Sequence, residues 1–143
     1  HILGAERTRD FLPYWSLFEA GVLVCGGSDH MVKWDSRRSI NPYNPFLGMW
    51  AAITRTTRRG TVINPGEALS REQALRMYTA NNAYAQGQEQ LKGTLEPGRL
   101  ADLAVLAGDF MRCSPAQLRD MTVDLTMVGG RVVYRRDEAP GGG

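Results

Sequence analysis

Histidine is scarce in this chain: His1 and His30 are the only two among 143 residues. No His-x-His pair occurs. A catalytic zinc site takes about three protein ligands and keeps one position open for water. On histidine supply alone, the chain cannot assemble such a site by itself. Cysteine is equally thin. Cys25 and Cys113 lie far apart and lack the close pairing of a zinc site, so neither a metal cluster nor a disulfide framework is expected. Each is expected to be a lone buried thiol, in a reducing, cytoplasmic compartment. No apolar run approaches the roughly 20 residues of a membrane helix, and no charged-then-apolar leader is visible. A membrane partner is therefore not expected. The net charge of +2 is too small to argue for a nucleic-acid partner.

What is present has the patterning of a packed α/β protein. Phe11, Tyr14, Trp15 and Phe18 recur at i, i+3, i+4 and i+7, which predicts a helix over 11–20. Pro13 suits its first turn and Gly21 its end. Val22-Leu23-Val24-Cys25 follows as a continuous apolar run, the pattern of a strand covered on both faces in a parallel sheet. It stops at Gly26-Gly27-Ser28-Asp29-His30. In parallel α/β folds, chemistry gathers just past the C-terminal ends of strands.

Beyond a connection over 31–45, Asn44 and Pro45 are spaced as N-cap and first residue of a second helix. Phe46, Met49, Trp50 and Ile53 would form its apolar face, with Arg55, Arg58 and Arg59 at its C-terminal end. Ser70 and Gln73 have capping-box spacing, which predicts a helix reaching about Ala85 with Ala74, Leu75 and Tyr78 inward. The character then changes. A strand is expected over 102–106 and a helical turn from Ser114-Pro115. A hairpin is expected from Leu125–Val128 and Arg131–Tyr134 about Gly129-Gly130.

Asp29 is the leading chemical candidate. An aspartate after a buried strand can hold a divalent cation and take a proton from bound water. From spacing alone, a turn cap or a partner for a nearby arginine is the somewhat better reading. His30 is a candidate substrate contact or ligand, with a hydrogen-bonded structural role as the alternative. The Arg55–Arg59 stretch reads better as a solvated helix end than as a phosphate site. Trp50 has core spacing, whereas Trp34 lies in a connection, where function concentrates.

Several segments resemble the amidohydrolase superfamily, most closely its family 3 branch, which includes N-substituted formamide deformylase-like proteins. Residues 17–29, ending in Gly27-Ser28-Asp29, are similar to a last helix–strand step of the catalytic barrel. Residues 44–55 and 78–84 are similar to the segments after it. Lys92-Gly93-Thr94-Leu95-Glu96-Pro97-Gly98-Arg99-Leu100-Ala101-Asp102-Leu103 resembles the return from barrel to β-sandwich, and residues 128–134 a closing hairpin. The resemblance implies a (β/α)8 barrel with a small β-sandwich, and hydrolysis of a small-molecule amide C–N bond by metal-activated water. It implies Asp29 as proton acceptor and metal ligand, and a divalent ion, zinc by its ligand chemistry, in the full-length enzyme. His30 and the loop over 41–44, with Asn44, are expected to shape the pocket mouth and contact the substrate.

A (β/α)8 barrel takes about 250 residues. The expectation is therefore an α/β C-terminal fragment of barrel plus sandwich. Residues 1–90 would end the barrel, 91–136 would give the C-terminal share of the sandwich, and 137–143 would form a disordered tail. Its expected partners are the missing N-terminal part of the same enzyme and, through an exposed edge, a second copy. By itself it is expected to be inactive and to bind no metal. The alternative is a non-catalytic structural module that completes another chain.

Overall fold

The computed structural model of the chain describes residues 4–8, 10–28, 43–57 and 59–138. Its order is α1 (Gly4–Thr8), α2 (Tyr14–Glu19), a segment over 22–28 without regular structure, and α3 (Pro45–Thr54). A 3-10 turn (Pro65–Glu67), α4 (Arg71–Tyr78) and α5 (Ala80–Ala85) follow. The chain then forms β1 (Leu103–Leu106), α6 (Pro115–Arg119), β2 (Val123–Val128), β3 (Arg131–Arg135) and a last 3-10 turn (Arg136–Glu138). It is a mixed α/β arrangement in which helices carry the core and a small antiparallel sheet is appended.

The core lies where α3 packs against α4 and α6. Phe46, Met49 and Ala52 from α3 meet Ala74 and Met77 from α4, Leu118 from α6, and Leu69, Phe110 and Met121 from connections. Asn44 caps α3 as its spacing predicts, accepting a hydrogen bond from the Phe46 N–H at 2.9 Å, with Pro45 in the first turn. Trp50 and Ile53 pack at the edge of the same core. Ser70 and Gln73 form the expected capping box on α4, and Ser114 with Gln117 forms a second one on α6.

Helix α2 starts later than its periodicity predicts. Leu12 adopts φ 52°, which breaks the helical path, and Pro13 takes the cap position. Phe11 and Trp15 consequently stay 41% and 45% exposed, while Tyr14 and Phe18 reach the core. The end of α2 is as expected. Gly21 is left-handed, its N–H donates to the Phe18 carbonyl, and the Val22 N–H donates to the Leu17 carbonyl. That pair of bonds is a Schellman stop.

The helix predicted to run unbroken from Ser70 to Ala85 divides at Thr79, whose φ −125° and ψ −90° belong to neither helix. Met77 takes the inward position expected of Leu75, which is 38% exposed.

The sheet has the order β1-β2-β3, antiparallel throughout, with Val128 paired to Arg131 across Gly129-Gly130. Both glycines have positive φ, as a tight two-residue hairpin turn requires. Asp102 braces this turn, its Oδ1 accepting from the Gly129 N–H at 2.6 Å. Every residue of β3 is exposed.

The expected parallel strand over 22–25 is corrected. The segment forms no strand, and no strand pairs with it among the described residues. Val22 and Leu23 are 47% and 44% exposed, and Cys25 is exposed where a buried thiol was expected. A strand covered on both faces needs neighbouring strands, and the three strands here pair only with one another.

Leu118 is fully buried between α6 and α3. Leu118→Ala should cost about 2–5 kcal/mol, read as a lowered urea midpoint with an unchanged slope. A loss under about 1 kcal/mol would show that this joint does not carry the core.

Candidate active site

The segment over 22–28 is held by the corner between α4 and α5. The Gly26 N–H donates to the Met77 carbonyl at 2.8 Å. The Asn81 side-chain amide donates to the Val24 carbonyl at 2.8 Å, and that of Asn82 to the Gly26 carbonyl at 2.9 Å. Three bonds thus hold residues 24 and 26 without a neighbouring strand among the described residues. The Cys25 thiol approaches the Asn81 carbonyl at 3.4 Å.

A pocket of about 220 Å³ opens beside the segment, lined among others by Tyr14, Gly26, Gly48, Arg55 and Tyr78. The Tyr78 ring occupies space that any side chain at residue 26 or 48 would claim. A Cβ on Gly26 would stand 2.5 Å from Tyr78 Cε2, and one on Gly48 would collide with the Tyr78 hydroxyl. These two glycines let the ring bridge the segment and α3. Burial, and then the neighbouring Tyr14 phenol, hold Tyr78 above the usual tyrosine pKa.

Arg55 closes the far end of the pocket. The expectation of a solvated helix end is corrected here: Arg55 is 6% exposed and left-handed at φ 56°. Its Nη2 donates to the Phe11 carbonyl at 2.8 Å, and its Nε to the Ile63 and Asn64 carbonyls, each at 3.3 Å. Its guanidinium lies 5.1 Å from the centre of the Tyr14 ring. The turn that brings residue 63 back to residue 55 converts an expected surface cation into a buried clasp. Arg59 is exposed, as expected.

Of the site residues expected from sequence, Asp29 and His30 lie outside the described residues, as do His1, Trp34 and Arg58. Asn44 is described, and its Oδ1 is engaged in capping α3. Among the described residues, no three His, Cys, Asp or Glu side chains come together to hold a metal ion, so none of them provides a donor set for a divalent cation. The same residues include no helix long and apolar enough to cross a membrane. Sequence reasoning missed Asn81 and Asn82. Two consecutive asparagines inside a predicted helix are poor helix formers, and that local conflict was the available signal.

The sequence profile of the amidohydrolase family matches residues 1–134. The chain belongs to that family. Two curated amidohydrolase relatives extend the match. N-substituted formamide deformylase of Arthrobacter pascens is 38% identical over 124 residues, which is 87% of this chain and 21% of that protein. YtcJ of Bacillus subtilis (strain 168), provisionally named an amidohydrolase, is 31% identical over 137 residues, 94% of this chain and 24% of YtcJ. The chain thus spans about a fifth to a quarter of the length of these relatives. A crystal structure of an amidohydrolase from Thermotoga maritima MSB8 shares the fold, with a TM-score of 0.58 at 23% identity. The match covers 84% of this chain and 25% of that one.

Two tests address this pocket. Gly26→Ala should destabilise the protein by about 1–3 kcal/mol, the usual cost of overpacking, and Tyr78→Ala should relieve most of that cost in the double variant. Additive losses would show that the ring and the glycine are not coupled. Because the Tyr78 pKa is raised in the folded state, its contribution is complete below the unfolded value near 10 and is lost as pH rises through the folded value. Thermal unfolding from pH 8 to 11 should show a smaller alkaline decline in Tyr78→Phe than in the parent. Equal declines would refute the assignment.

Proposed function

We propose that this chain is the C-terminal part of a metal-dependent hydrolase of non-peptide amide C–N bonds, with Asp29 as proton acceptor and metal ligand. The observation that carries the proposal is the bracing of residues 24–26 by Met77, Asn81 and Asn82. It fixes the chain three residues ahead of Asp29, in a member of the amidohydrolase family. A bound divalent ion, with zinc the best match to histidine and carboxylate ligands, would lower the pKa of a coordinated water. The remaining ligands belong to the rest of the enzyme, since the chain has only His1 and His30 to offer.

In this reading residues 1–90 close a (β/α)8 barrel, 91–136 contribute to a small β-sandwich, and 137–143 form a tail. His30 and Asn44 contact the substrate. The Asn44 amide N–H groups would serve this purpose, because its Oδ1 caps α3. A small N-substituted amide is the substrate class to try first, since one relative is an N-substituted formamide deformylase. The partner is the N-terminal part of the same enzyme, and the working compartment is the cytoplasm.

A second reading, a non-catalytic module that completes another chain, draws on β3, every residue of which is exposed. Light scattering separates self-association from a monomer. Activity of the full-length enzyme separates the two readings.

With a small N-substituted formamide as substrate, Asp29→Ala in the full-length enzyme should lower kcat by about 10²–10⁴-fold, the range for loss of a general base. Bound metal, measured on the same sample, should fall as well. A kcat near the parent value would sink the assignment.

A further inference from the structure

We propose that Asn81 and Asn82 are positioning residues for the reaction, acting through the backbone of residues 24–28; this rests on the hydrolase reading above. Both amides leave their own helix. No side chain caps the N-terminus of α5, where Thr79 holds the cap position and Asn81 and Asn82 stand in the first turn. Asn81 Nδ2 donates to the Val24 carbonyl at 2.8 Å, and Asn82 Nδ2 to the Gly26 carbonyl at 2.9 Å and, more weakly, to the Tyr78 carbonyl at 3.4 Å. The break at Thr79 gives α5 its own start, separate from α4.

The two asparagines are not equivalent. Val24 is already fixed by its side chain, which packs against the core. Gly26 and Gly27 have no side chain to hold them, and glycine leaves the backbone widest freedom. The direction in which the chain leaves Gly26 toward Ser28 is therefore set by the two bonds on Gly26, from Asn82 and to Met77. Asn82 should matter more than Asn81.

The test uses the full-length enzyme with a small N-substituted formamide, and Asp29→Ala as the control. Asn82→Ala should lower kcat per folded molecule by about 10–100-fold, the usual effect of removing a partner that orients a reactive group. KM should stay within about twofold. Asn82→Asp keeps the size and shape but replaces the donor with an acceptor, and should lose at least as much. Asn81→Ala should lose less than Asn82→Ala. Parent-like kcat in Asn82→Asp would overturn the proposal, as would a loss that only tracks the folded fraction. Failure of all three variants to fold would also overturn it, in favour of a purely structural role. An active Asp29→Ala would instead remove the hydrolase reading on which the proposal rests.

Discussion

The described structure turns on three hydrogen bonds that hold the segment over 22–28, which has no neighbouring strand among the described residues. The α4–α5 corner supplies one backbone carbonyl and two side-chain amides. No residue of the segment is fully buried, so each bond returns about 1 kcal/mol rather than averting the larger penalty of a buried unmet group. The division at Thr79, the placement of α5 beside the segment, and the seat of Tyr78 are parts of the same solution.

Packing around that corner follows from small residues at close approaches. Gly26 and Gly48 admit the Tyr78 ring. Gly93, at φ 99°, brings the next connection against α5, where a Cβ would stand 2.7 Å from that of Ala83. Arg55 fastens the opposite side by gathering three carbonyls and an aromatic face. Arg71 does similar work for the connection after β1, donating to the Phe110 and Cys113 carbonyls. Buried or half-buried arginines serve irregular chain well, because one planar group satisfies several carbonyls without requiring a regular element.

Local chemistry was legible in the sequence where it acts over short range. Asn44-Pro45, Ser70 with Gln73, Gly21 and Gly129-Gly130 each mark a boundary through bonds made within a few residues, and each stands where expected. Long-range outcomes were not legible. Nothing near Arg55 indicates that Phe11, 44 positions earlier, supplies a carbonyl to it. The apolar run Val22–Cys25 reads as a buried strand because it is suited to neighbours that the described residues do not supply. For the candidate site, Asp29 and His30 were picked out by composition and order. The asparagines that brace their approach were hidden within a helical pattern.

The bridge made by Tyr78 has a further consequence. Its ring joins residue 26 to residue 48, so both ends of the intervening stretch are anchored to one rigid point. Enlarging either glycine would displace the same ring, so the two positions constrain each other although they lie far apart in sequence. A change at one would have to be answered at Tyr78 before the other could keep its contact.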